Sequence, residues 1–144
     1  IQQQMPLVYQ PATSLYCVRA SYQPNEDGTI TVSNTARAGS VDGPVGGEGM
    51  GLKAVVPDES DPSKLAVGPS FLPPTAYGPY WVVFAGPSED SYDYGIVSGG
   101  PPTAEGKDGE GCVAGSEFEL NDAGLWLFTK ETVANETVVD MLRD

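Results

Sequence analysis

Clusters of glycine and proline divide this chain into short segments, and they constrain its fold more than any other feature. The sequence of 144 residues contains 18 glycines and 13 prolines, and the runs between the clusters are rich in Val, Ile, Tyr, Thr and Phe. Glycine and proline interrupt regular elements, whereas β-branched and aromatic side chains favour strands. Short strands joined by such turns are typical of an antiparallel meander. The sequence therefore predicts an all-β fold.

The clearest segment is a hairpin near the N-terminus. Residues 15–22 alternate, with Val18, Ala20 and Tyr22 on one face, and residues 29–34 alternate again after the turn at Asp27-Gly28. Further strands are predicted at residues 50–56, 64–67, 80–85, 92–97 and 125–129, with the end of another at residues 1–6. Residues 99–115 are rich in glycine, proline and acidic side chains, which predicts a long surface loop.

The C-terminal segment changes to a helical period. Its apolar residues Ala134, Val138, Met141 and Leu142 are spaced so that they share one helix face. Asn135 is a suitable N-cap. The sequence thus predicts one closing helix that packs its apolar face on the sheet.

Charge and length exclude several classes of partner. Seven basic against 20 acidic residues give a net charge of −13, which repels nucleic acid and anionic membranes. No apolar run approaches the roughly 18 residues of a membrane-spanning helix, so we expect a soluble chain that is not an integral membrane protein.

Few residues are suited to metal binding or catalysis. The chain has no histidine, which leaves no usual zinc ligand set and no Cys/His catalytic pair. Cys17 and Cys112 are either a disulfide or two thiols. Asn135-Glu136-Thr137 is a glycosylation sequon, which is weakly compatible with a secretory route. We therefore expect no enzymatic activity, no metal and no required cofactor.

Several short motifs, taken in order, resemble those of the lipocalins, in particular the branch that contains apolipoprotein D, bacterial outer-membrane lipocalins and plant temperature-induced lipocalins. The matching segments are residues 17–22, 27–34, 79–83, 93–97 and 125–130. The family's first strand carries a Gly-x-Trp motif, and residues 1–6 resemble the stretch just after it, so that part of the strand is expected to be missing. Lys130 stands where the family usually has an arginine that packs over the motif tryptophan.

The resemblance implies one domain over residues 1–144, an eight-stranded up-and-down barrel with a C-terminal helix. It also implies binding and transport or storage of a small hydrophobic molecule, such as a lipid, sterol or carotenoid-type pigment, in an extracellular space or an organelle lumen. By strand parity and by resemblance, the predicted inward, ligand-binding residues are Val18, Ala20, Tyr22, Ile30, Val32, Leu65, Val67, Phe71, Tyr80, Val82, Tyr94 and Ile96. In the same frame, Cys17 and Cys112 are expected to form a disulfide across the barrel mouth.

Three alternatives remain open at this point. Inward apolar residues occur in every barrel, so they fit a filled core as well as a cup. The chain is alternatively a structural or accessory subunit of a larger assembly, with a protein partner docked on the barrel. An unrelated β-sandwich with a terminal helix also fits the periodicity.

Overall fold

The computed structural model describes residues 1–47 and 51–144. Within these ranges it contains eleven strands, two short 3-10 helices at residues 74–76 and 107–109, and one α-helix. The strands are β1 (Gln2–Gln3), β2 (Leu15–Pro24), β3 (Ile30–Ala38), β4 (Val45–Gly46), β5 (Leu52–Val55), β6 (Lys64–Pro69), β7 (Gly78–Ser88), β8 (Ser91–Ser98), β9 (Ala104–Glu105), β10 (Cys112–Val113) and β11 (Leu125–Thr129). The helix α1 is Glu136–Arg143. Each predicted strand is confirmed, although Met50, the predicted start of one, lies outside the described residues.

Eight strands form a nearly closed antiparallel barrel. Their order is β1-β11-β8-β7-β6-β5-β3-β2, and β4 pairs with β3 beside this path. The first and last strands in this order, β1 and β2, meet where the Ile1 nitrogen donates to the Val18 carbonyl oxygen at 2.9 Å. The predicted all-β barrel with a C-terminal helix is therefore confirmed, and the sandwich alternative is wrong.

The connections of an up-and-down barrel alternate between its two ends. One end, the base, carries the turns at residues 25–29, 56–63 and 89–90. These turns are held by carboxylates: Asp27 Oδ1 accepts from the Thr29 backbone N–H at 3.0 Å, and Asp58 Oδ1 accepts from that of Ser60 at 2.9 Å. Hydrogen bonds from the hydroxyls of Thr29 and Ser60 hold the pKa of both carboxyls below the usual range. Short acidic turns thus close the base.

The other end, the mouth, carries longer connections. They are residues 4–14, the β3–β5 connection, residues 70–77 and residues 99–124. The last of these was predicted as a plain loop over residues 99–115. It instead contains the hairpin of β9 and β10, because the Gly106 backbone N–H donates to the Gly111 carbonyl at 3.0 Å and closes a tight turn.

Helix α1 packs on the outside of the barrel. Asn135 Oδ1 accepts from the Thr137 backbone N–H at 2.9 Å, so the predicted N-cap is confirmed. The helix contacts β8, its residue Leu142 is buried, and the Arg143 Nε donates to Gln4 Oε1 at 3.2 Å. The helix begins after Asn135 because that residue has an extended backbone.

Candidate ligand-binding lumen

Two tyrosines define the inside of the barrel. Tyr22 on β2 and Tyr80 on β7 have their hydroxyl oxygens 2.6 Å apart, and their rings meet edge-on with centroids separated by 6.4 Å. In the barrel, β2 and β7 are opposite, with three strands between them along the sheet on either side. Side chains on opposite walls meet only through the interior. Tyr22 and Tyr80 therefore cross the lumen.

The strand register extends this inner face around the barrel, since paired residues in an antiparallel ladder share a face. Tyr22 is paired with Val32, which is paired with Leu52, and Tyr80 is paired with Leu65. The predicted residues on the inner face are Ala20, Tyr22, Ile30, Val32, Leu65, Val67, Tyr80 and Val82. Val18 is half-buried beside a bulge in β2 and continues the same parity.

Some inner residues were missed at the level of sequence. Val82 is paired with Val97, and Val97 with Trp126, so Val97, Trp126 and Phe128 also line the lumen. Leu52 and Ala54 on β5 lie on the same face. The β11 run Leu-Trp-Leu-Phe is apolar on both faces, so alternation gave no signal there. The only clue was that a strand apolar on both faces needs a cover on each.

Tyr94 and Ile96 are corrections, because they face outward. A bulge in β7 lies between the pairs Val82–Val97 and Phe84–Ile96, and it reverses the parity of β7. Tyr94 stacks on Phe84 with ring centroids 6.3 Å apart, and Ile96 is paired with Leu127, which is buried on the outer face. A bulge of one residue leaves no mark in the sequence.

Phe71 is a second correction. It lies in the β6–β7 connection at the mouth, beyond the end of β6, and it is 76% exposed. The strand ends at Pro69, after which the chain turns toward the 3-10 helix at residues 74–76, so strand parity does not extend to Phe71.

The inner wall is not completely buried. Val32, Ala54 and Val97 are buried, but the larger inner side chains Leu65, Tyr80, Trp126 and Phe128 are only half-buried, and Tyr22 is 45% exposed. Within the described ranges, no large side chain is completely buried. Packed protein cores bury such residues at close to crystal density. Part of each of these larger inner-face residues is therefore accessible to solvent.

The described inner face carries few charged groups. Lys64 lies on the outer face, where it pairs with Asp61 at 3.0 Å and lies over the Trp81 ring. Lys130 follows Phe128 with the inner parity just beyond the base end of β11, and its exposed amine pairs with Asp93 at 3.0 Å. Arg19 and Lys53 occupy positions of the opposite parity to the inner residues Ala20 and Ala54. Burial raises the pKa of both Tyr22 and Tyr80 above the usual value, so their hydroxyls are neutral at physiological pH.

A groove of about 600 Å³ lies at the mouth end. The β1–β2 connection lines most of it, and Glu117 and Phe118 of the β8–β11 connection complete it. The two connections are joined because the Val8 backbone N–H donates to the Glu117 carbonyl at 2.9 Å. Tyr9 OH also donates to the Ala123 carbonyl at 3.3 Å, and burial raises the pKa of Tyr9 to about 12.

The predicted disulfide is wrong. Cys17 and Cys112 are both free thiols and both exposed. Cys17 lies at the bulge in β2 with φ of 51°, whereas Cys112 is held in the β9–β10 hairpin opposite Glu105. The connection that was expected to extend across the mouth is folded into that hairpin, so it does not bring the two sulfur atoms together.

The remaining predicted positions lie on the outer surface. Asn135 of the sequon is exposed, and its side chain caps α1. Lys130 is exposed and ion-paired with Asp93, so it makes a surface contact rather than a stacked one. In residues 1–47 and 51–144, no group of three or more acidic or cysteine side chains is placed to hold a metal ion. The same ranges contain no helix long and apolar enough to span a bilayer.

Comparison with known proteins adds no family to this description. No protein-family model matches the chain, and no curated protein matches its sequence.

Proposed function

We propose that this protein is a lipocalin-type carrier, which binds a small hydrophobic molecule in the barrel lumen for transport or storage and needs no cofactor. One observation carries the proposal. The inner wall is apolar, and its largest side chains are only half-buried, so the protein leaves apolar surface in contact with water. A ligand that covers this wall removes both its own apolar surface and that of the protein from water.

The energetics indicate the size of such a ligand. Burial of apolar surface contributes about 2.5 kcal/mol per 100 Å², and association costs at least about 4 kcal/mol. Micromolar affinity corresponds to about 8 kcal/mol of net binding free energy. The ligand must therefore bury roughly 500 Å² of apolar surface, which favours a long-chain lipid, sterol or carotenoid-type molecule over a small metabolite. An extracellular space or an organelle lumen is the proposed compartment, and its support is the exposed sequon at Asn135.

A matched pair of variants tests whether the lumen is the binding site. Ala20 lies on the inner face and Ala66 on the outer face, and both are half-buried. We expect Ala20→Trp to fill the open lumen without unfolding the barrel and to abolish the fluorescence increase of the neutral dye Nile red. Ala66→Trp should leave that titration unchanged. Equal binding by both variants would place the dye elsewhere and contradict the proposal.

A docking module in a larger assembly is the second candidate function. The mouth connections favour it, since Phe71, Phe118 and Leu120 are each more than 70% exposed. Large exposed apolar residues gathered at one end are typical of interaction surfaces. Sedimentation with extracts from the source organism tests this candidate, because a docking subunit is expected to sediment with its assembly and a carrier to sediment alone.

A further inference from the structure

We propose that the lumen selects uncharged lipids with one oxygen-containing polar end, an alcohol or a carbonyl, and that the Tyr22–Tyr80 pair binds this end. The inference rests on the proposed carrier function and specifies its ligand class. A fatty acid, in contrast, is disfavoured as its carboxylate. The inference follows from three properties of the inner wall.

The first property is the hydrogen-bonding capacity of the two hydroxyls. They lie 2.6 Å apart between opposite walls of the barrel, so one donates to the other. Each tyrosine hydroxyl has one donor hydrogen and acceptor lone pairs. The hydroxyl that accepts within the pair keeps its own hydrogen, and both oxygens keep acceptor capacity. The pair therefore offers one donor and at least one acceptor, which matches an alcohol or a carbonyl oxygen.

The second property is the scarcity of other polar groups on this wall. The register places Asn34 and Gln3 on the inner face, and both are neutral amides on strands other than those of the tyrosines. The remaining inner positions of β5, β6 and β11 are apolar. A ligand with several hydroxyls would lose hydration without compensation. A ligand with one polar end and an apolar body matches this wall.

The third property is the absence of an unpaired basic side chain on the described part of the wall. Arg19, Lys53 and Lys64 have the outer parity. Lys130 has the inner parity but lies beyond the base end of β11, where it is exposed and paired with Asp93. The Ile1 nitrogen lies beside the wall and donates to the Val18 carbonyl at 2.9 Å. A buried carboxylate without a cation takes up a proton instead.

That proton uptake sets the expected selectivity. A carboxylic acid with an ordinary pKa near 4.3 is neutral in only about one molecule in 500 at pH 7. An acid that binds only in its neutral form therefore binds up to about 500-fold more weakly than the alcohol of the same chain length. Competition with bound Nile red measures this ratio, with 1-octadecanol, methyl stearate and stearate as competitors at pH 7. We expect the alcohol and the ester to displace the dye at least tenfold more effectively than the acid.

Variants separate the hydroxyl pair from the general polarity of the lumen. Tyr22→Phe and Tyr80→Phe should each weaken 1-octadecanol binding about fivefold, since one neutral hydrogen bond is removed. Tyr94→Phe removes a hydroxyl from the outer face and should change nothing. Val82→Lys places a cation on the inner wall and should reverse the preference toward stearate.

The outcomes distinguish this inference from the function on which it rests. Stearate that competes as well as 1-octadecanol would overturn the neutral-ligand inference and leave the carrier function standing. Unchanged alcohol binding in both lumen tyrosine variants would overturn the role of the hydroxyl pair. If Nile red and all three lipids fail to bind the unmodified protein, the carrier function fails, and this inference fails with it.

Discussion

Strands β8 and β11 carry apolar side chains on both faces, yet the two faces differ in packing. On the outer face, Leu127 is 3% exposed, and Leu142 of α1 is 6% exposed. On the inner face of β11, Trp126 and Phe128 are only half-buried. Both faces are apolar, and on the outer face α1 contacts β8. The comparison shows that the largest side chains inside the barrel are less buried than these two outer leucines, although the smaller inner residues Val32, Ala54 and Val97 are buried as well.

The largest test of this comparison replaces a leucine on each face. Leu127→Ala should leave a cavity in the packed outer core and lower the free energy of unfolding by about 3 kcal/mol. Under the proposed carrier function, Leu65→Ala enlarges an open lumen, so the loss should be below about 1 kcal/mol. Urea denaturation of both variants measures the difference. Equal losses would mean that the lumen is packed as tightly as the outer core.

The stability of the protein at alkaline pH tests the burial of the two inner tyrosines. Burial raises the pKa of Tyr22 and Tyr80 above 10 in the folded state, so the unfolded chain loses these protons first. Their contribution to stability is complete below pH 10 and is lost as the pH rises beyond it. This effect is expected to rank next, and most of it should come from Tyr80, because Tyr22 is 45% exposed. The urea midpoint of the unmodified protein should fall between pH 8 and pH 11, and that of Tyr80→Phe should fall less. An identical fall in the two proteins would contradict a desolvated tyrosine pair.

The anchoring of α1 gives the next effect. Asn135→Ala removes the side-chain acceptor for the Thr137 backbone N–H, which should cost about 1 kcal/mol. Asn135→Asp keeps an acceptor and should retain most of the stability. Thermal unfolding of the two variants checks the cap, and an undisturbed melting temperature in Asn135→Ala would mean that packing alone holds the helix.

The smallest effect is expected at the exposed ion pair. Lys130 and Asp93 lie 3.0 Å apart with both side chains more than half exposed. Exposed pairs of this kind contribute about 0.5 kcal/mol or less. Lys130→Ala should therefore change the urea midpoint only slightly. A loss above about 1 kcal/mol would show that Lys130 has a packing role that its surface position does not explain.

Much of the barrel could be predicted because its signals are local. Alternation from Leu15 to Tyr22 and the Asp27-Gly28 turn specify a hairpin without reference to the rest of the chain. The period of Val138, Met141 and Leu142 and the cap at Asn135 specify the helix in the same way, although Ala134 precedes the helix and Met141 is 47% exposed. These features depend on neighbours a few residues apart, which is the range over which sequence patterns are informative.

The parts of the site that could not be predicted depend on single irregular residues or on distant contacts. The bulge beside Val82 reverses the parity that Tyr94 and Ile96 were given. The contact of Tyr22 with Tyr80 joins residues 58 positions apart, and no local pattern marks it. The β9–β10 hairpin, which holds Cys112 opposite Glu105, forms from two-residue strands too short to show alternation. Whether the lumen is open could not be predicted either, because apolar inner residues are compatible with a ligand cavity and with a filled core.

A crystal structure of the protein grown with 1-octadecanol tests the central claim most directly. The account predicts continuous non-protein density in the lumen, with its oxygen within hydrogen-bonding distance of the Tyr22 or Tyr80 hydroxyl and its chain along Leu65 and Trp126. An empty lumen closed by side chains in new rotamers would contradict it, as would density confined to the groove beside Phe118.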